Sequence, residues 1–275
     1  MIITLVGIAC GSATCGGTAD VITTSDRDTP TSSPPAPPEP APATTGGLIT
    51  NTQPRPESPL AGRVVVVDPG HNGRNGEHLD EINRIVDIGN GTKACNTTGT
   101  AADGLTEAQL NWDVAVRTVD YLRTLGADVV LTRQDNDGWG PCINERAAVG
   151  NDLQADAVVS IHADGGPAEG RGFHVIHPAP VPGLTDDIAE PSGRLAVILR
   201  DAVNATGMPI ADYIAVGGLS ERSDLGGLNL SDVPAVFLEM GNMKNGDDIA
   251  LLTDGAFQDR IAEAIGAALE AFLGE

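Results

Sequence analysis

Three apolar runs in this chain end on residues that carry chemistry. "VVVV" (64–67) runs into Asp68, Pro69, Gly70 and His71; "AVVSI" (157–161) runs into His162; "AVFL" (235–238) runs into Glu239. Each run has the length of a strand and lacks the polar alternation of a half-solvated one, so each reads as covered on both faces. Further strands are expected at 127–132 and 172–177, and helices at 106–125, 143–153, 191–206 and 256–273. Strands alternating with helices of this length predict an α/β fold: a single domain built on a mostly parallel twisted sheet with helices on both faces. In such sheets ligands gather beyond the carboxyl ends of the strands. His71, His162 and Glu239 all stand at such ends.

The core of this sheet must be aliphatic, because hydrophobic residues make up 41% of the chain and aromatic ones only 3%. Acidic residues outnumber basic ones 38 to 16, for a net charge of -22. Such a surface repels nucleic acid and anionic lipid, which argues against a partner bound through backbone phosphates. Its ordinary consequence is solubility.

The apolar stretch 2–9 is too short to span a bilayer and resembles the core of a secretion signal. No Lys or Arg precedes it, a departure from the usual signal. Cys10, behind Ile8 and Ala9, suggests a lipoprotein attachment site, although Gly7 stands where such sites usually carry Leu. Residues 1–17 read as a signal or lipoprotein-like segment. Residues 18–59, rich in Thr, Ser, Pro and Ala, read as a disordered tether, and 60–275 as the folded part. The expectation is an exported monomer in the periplasm, cell wall or extracellular space, touching membrane only through its N-terminal signal or a lipid anchor. Cys95 and Cys142 both lie in loop-like sequence. One disulfide is the simpler reading for an exported chain. The alternative, a pair of metal ligands, is weakened because neither belongs to a close Cys or His pair.

In "GLTEAQLNWD" (104–113) Thr106 is placed to cap a helix. Gln109 completes a capping box, and Leu105 and Leu110 form a hydrophobic staple. Glu107 therefore falls in the first helical turn. Two imidazoles and a carboxylate form the ligand set of hydrolytic zinc sites, with a fourth position left for water, and a further carboxylate serves as general base. Each residue also has a plainer reading. His71 follows Pro-Gly as a turn residue would. His162 reads as a buried imidazole satisfied by a carbonyl. Glu107 favours the helix dipole. Glu239 is hardest to dismiss, because an unpaired carboxylate behind an apolar strand is costly to bury. Asp68 either orients a ligand or anchors its turn. His78 reads as solvated. His174 and His177, three apart on a strand, point to opposite faces and do not both reach one metal without a bulge.

"VVVVDPGHNG", "LTEAQLNWDVA", "VLTR", "ERAAVGNDLQADAVVSIHAD" and "VPAVFLEMGNMKN", in this order, resemble the zinc-dependent N-acetylmuramoyl-L-alanine amidases of the Amidase_3 type, over nearly all of 60–275. The resemblance implies that His71, Glu107 and His162 hold Zn²⁺ and that Glu239 is the catalytic carboxylate. It implies hydrolysis of the amide between the muramic acid lactyl group and L-alanine, on peptidoglycan or muropeptides. Two further enzyme or module readings share the sequence: a zinc peptidase cutting within the stem peptide, and a cell-wall binding module without turnover. Arg222 is expected either to contact a substrate carboxylate or to form a surface ion pair with Asp224 or Glu221. Asn245, retained from the family's pattern after the catalytic glutamate, is a second expected substrate contact. The sequence departs from the family at Asn72, where glycine is usual, in the long polar stretch 74–103, and in "NMKN" (242–245).

Overall fold

The computed structural model describes residues 58–274. The expected signal segment, and the expected tether up to residue 57, lie outside the described residues. Six strands form the central sheet: β1 Val64–Pro69, β2 Asp128–Leu131, β3 Ala157–Asp164, β4 His174–Pro178, β5 Leu219–Arg222 and β6 Ala235–Asn242. Their spatial order is β2-β1-β3-β6-β4-β5. The first four are mutually parallel. β4 runs antiparallel to β6, and β5 follows the direction of β4. The reversal has a simple cause. Only residues 165–173 connect β3 to β4, fewer than the dozen or more that a parallel crossover needs. β5, with its polar sequence Leu-Ser-Glu-Arg, was not among the expected strands.

Four long helices cover the sheet: α1 Glu107–Thr124, α2 Ile143–Asp152, α3 Ala189–Asn204 and α4 Gly255–Leu273. α1 and α3 both pack on α4 across one face. There they bury the main core with Val65, Val67, Val159, Ile161, Val236 and Leu238. The alternate side chains of the same strands face the other way, and there the cover is thin. α2 and the short helix Gly226–Asn229 supply it, and its cluster is small: Ile176, Leu228 and Ala235. His162, Phe237 and Glu239 belong to that second face, beyond the reach of α2. Uneven cover therefore leaves space where the strands end.

The start of α1 follows the expected cap with one difference. Gln109 N–H donates to Thr106 Oγ1 (3.2 Å), and Leu105 and Leu110 both pack on the main core. The reciprocal half of the capping box is missing. The Gln109 amide donates to Asp113 (2.7 Å) and accepts from Asn136 (2.8 Å) instead.

Cys95 and Cys142 form a disulfide across a sequence separation of 47. It joins the end of a hairpin, Ile85–Asp87 with Thr92–Ala94, to the N-cap of α2. Closing a loop of that length removes chain entropy from the unfolded state. Substituting both cysteines by serine is expected to cost about 2–4 kcal/mol. Urea unfolding of the wild type with and without reductant should reproduce the same loss.

Candidate active site

β1 delivers His71 through a tight turn. His71 itself adopts φ 58°, the left-handed region that a non-glycine residue rarely enters. Its Nδ1 lies 3.0 Å from the Thr97 carbonyl, which can only accept, so that nitrogen carries a proton and Nε2 is turned toward Glu107. A hydrogen bond of this kind fixes tautomer and ring direction. The turn must be narrow as well. A Cβ on Gly70 would sit 2.2 Å from the His162 ring, so only glycine lets the two histidines approach.

Glu107 opens α1 and His162 stands near the end of β3. Glu107 Oε1 lies 3.1 Å from His71 Nε2 and 2.9 Å from His162 Nδ1, and the two imidazole centroids are 4.9 Å apart. Its Oε2 accepts from the Thr100 backbone N–H (2.9 Å). Burial alone would raise the Glu107 carboxyl, but hydrogen bonds from His162 and then His71 outweigh it and hold it well below its ordinary value. Burial acts the other way on His162 and lowers its imidazole, so the neutral form that can ligate a metal is favoured. The three residues offer ligand atoms all within 4.8 Å of one another.

Glu239 stands next to His162 on β6, and β4 places His174 opposite it on its other side. Its Oε2 is buried and has no hydrogen-bond partner. Burial, then the negative charges of Glu107 and Asp164, push its carboxyl well above the ordinary value, with Arg222 opposing. A dication beside it would reverse that balance. Asp164 accepts from the Tyr213 hydroxyl (3.0 Å). His174 is buried, while His177 lies under Gly193 of α3 on the opposite face, so only one of the pair is near the site.

These groups border a cavity of about 610 Å³. His71, Glu107, His162, Glu239 and Arg222 all line it, and so does Lys93, which the sequence did not single out. Arg222 makes the ion pair that one of its two readings expects. It forms a two-pronged ion pair with Asp224 (2.8 and 2.7 Å) and still faces the cavity. Asn245 is elsewhere. It caps the helix Gly246–Leu252 by accepting from Asp247 and Asp248 N–H, and it donates to the Ala168 carbonyl (3.0 Å). Both ends of its amide are occupied by the fold, and it is not among the residues that line the cavity. Asn72 is likewise structural, bridging the Gly140 carbonyl (3.1 Å) and the Gly73 N–H (2.9 Å).

Two imidazoles, a carboxylate held ionised and a second, unpartnered carboxylate, gathered at the ends of parallel strands, define a hydrolase-type centre able to hold a metal ion. Comparison with known proteins gives the family. The family described as Amidase_3, N-acetylmuramoyl-L-alanine amidase, matches residues 65–271, and the chain belongs to it. It is 44% identical over 216 residues to the N-acetylmuramoyl-L-alanine amidase Rv3717 of Mycobacterium tuberculosis, covering 78% of this chain and 88% of that one. The crystal structure of the amidase Ami1 from Mycobacterium smegmatis matches with a TM-score of 0.74 at 44% identity, covering 78% and 98% of the two chains. Apo Ami1 from Mycobacterium abscessus matches with a TM-score of 0.73 at 45% identity, covering 78% and 100%.

Proposed function

We propose that this protein is a zinc-dependent N-acetylmuramoyl-L-alanine amidase that releases stem peptides from peptidoglycan or muropeptides. The observation that carries the reading is the unpartnered, buried Glu239 Oε2 on the cavity wall beside a His-Glu-His cluster. A carboxylate left without a partner costs stability unless it serves something that arrives later. The donor set fits zinc: two imidazoles and one carboxylate leave an open position. Zinc held there would supply Lewis acidity at the scissile carbonyl and acidify the attacking water.

The protein's own residues do the rest. His71 is aimed by its Thr97 hydrogen bond, and Glu107 is kept ionised by its two imidazole neighbours. Glu239 takes the proton from the attacking water and returns it to the amine of L-alanine as that amine leaves.

Exhaustive chelation should abolish turnover, and one equivalent of Zn²⁺ should restore it. Mass analysis of digested sacculi separates the enzymes that share this chemistry. An amidase leaves glycan without peptide and frees peptides beginning with L-alanine, whereas a peptidase leaves alanine on the lactyl group. Binding to sacculi with no product would instead mean a non-catalytic module. The substrate implies export to the cell wall or beyond. None of the described helices is long and apolar enough to cross a membrane.

A further inference from the structure

The cavity has a second charged feature, away from the metal cluster. Lys93 and Arg222 both line it. Lys93 is one of only two lysines in a chain of net charge -22. Both cations hold the same carboxylate: Arg222 Nε and Nη2 reach Asp224 at 2.8 and 2.7 Å, and Lys93 Nζ reaches it at 2.9 Å. Asp224 does not itself line the cavity. Its carboxyl is held far below the ordinary range, by Arg222 first and Lys93 after, so it stays ionised. Two cations thus share one anion, and both line the cavity.

Donors remain free on that side. Arg222 Nη1 has no hydrogen-bond partner among the described residues, and Lys93 uses one of three N–H groups. The charge is also fixed in place. Lys93 rides on the hairpin locked by the Cys95–Cys142 disulfide. That hairpin is tied to the segment after β5 by Asn90 donating to the Ser223 carbonyl (2.8 Å) and Asn229 donating to Asn90 (2.9 Å). Arg222 stands on β5, which lies beyond β6 and β4 from the strands that carry His71 and His162, so it lines the cavity on the Glu239 side of the His-Glu-His cluster.

We infer that Lys93 and Arg222, braced by Asp224, bind a free carboxylate of the stem peptide and set the preference of the enzyme for acidic over amidated peptides. The inference rests on the amidase reading above. Glu239 delivers a proton to the leaving amine, so a cation pair near Glu239 faces the peptide, not the glycan. The residue after L-alanine in a stem peptide is a glutamate joined through its side chain. Its main-chain carboxyl is therefore free, or capped as an amide. An arginine fork with a lysine beside it suits a carboxylate, which accepts from both; an amide offers one oxygen and no charge.

The test uses a matched pair: N-acetylmuramoyl-L-alanyl-D-glutamate and its isoglutamine amide. The zinc-loaded wild type should favour the acid in kcat/KM by at least about tenfold, the worth of one charge-assisted hydrogen bond. Lys93→Met and Arg222→Gln should each bring the acid-to-amide ratio toward one, and Lys93→Arg should keep it. A structural role in holding the hairpin would lower both rates and leave the ratio unchanged. Calorimetry of zinc-loaded Glu239→Gln with the dipeptides L-alanyl-D-glutamate and L-alanyl-D-isoglutamine supplies a readout without turnover. A wild-type ratio near one with equal dipeptide binding overturns the inference while leaving the amidase intact. Turnover of neither substrate, with the acid dipeptide still bound more tightly, overturns the amidase reading and keeps the carboxylate site.

Discussion

Glu239→Gln should lower kcat/KM on peptidoglycan fragments by about 10²–10⁴-fold, the usual contribution of a positioned acid–base group. Glutamine matches glutamate in shape, so the buried slot on β6 stays filled. It cannot take a proton, so the water attacks the carbonyl without a base and the leaving amine departs without its proton. The variant should bind one equivalent of zinc as the wild type does, because Glu239 is not one of the three residues whose ligand atoms converge. Its thermal stability should be equal or higher. The wild-type carboxyl is buried with an unpartnered oxygen and faces the negative charges of Glu107 and Asp164. Removing that conflict relieves the fold, as is common where an active site is built at the expense of stability. A variant that keeps more than about a tenth of wild-type activity would remove Glu239 from the proton-transfer role.

Much of this site was legible because strand ends are legible. An apolar run that stops on His or Glu says where the side chain will be delivered, and three such runs on one sheet deliver to one edge. Glu107 was legible for a different reason: Thr106 and the Leu105–Leu110 staple fixed the first turn of α1. What the sequence hid depends on pairing between distant segments. Nothing in "GTKAC" says that Lys93 will meet Asp224, 131 residues on. β5 escaped notice because an edge strand carrying Ser, Glu and Arg lacks the apolar character of its neighbours. The direction of β4 was hidden in a connection length, not in its own residues. Asn245 is a related case. An asparagine after a strand serves a helix cap as readily as a ligand, and the helix it caps, Gly246–Leu252, was not foreseen.

Asp68 was the residue with two open readings, and the structure decides for the anchor. Arg146→Ala, which removes its partner, should destabilise the domain by about 3–5 kcal/mol, the cost of stranding one half of a buried ion pair. Arg146 comes from α2 and is itself buried; its Nη1 donates to Asp68 Oδ1 at 2.6 Å, and Thr132 and Ser160 hydroxyls complete the carboxylate's partners. The same guanidinium donates to the carbonyls of Pro69 (2.8 Å), His71 (2.6 Å) and Gly140 (2.9 Å). It therefore straps the turn that presents His71 in its left-handed conformation, and the variant should lose zinc to a chelator faster than the wild type. The pH dependence gives the sign. Burial would raise the Asp68 carboxyl, but Arg146 and the two hydroxyls win and bring it from 3.8 to about 2. A depressed carboxyl stabilises the fold fully above its unfolded value and loses that contribution as pH falls toward the folded one. Without Arg146 the burial effect is left opposed by weaker partners, so Asp68 takes up its proton at higher pH and no longer strands a charge. The stability gap between wild type and Arg146→Ala, measured by urea unfolding, should be largest near neutrality and shrink below about pH 4. A gap that stays constant from pH 7 to pH 3 would mean that Arg146 acts through backbone carbonyls alone, Pro141 (3.0 Å) included, and that its charge is incidental.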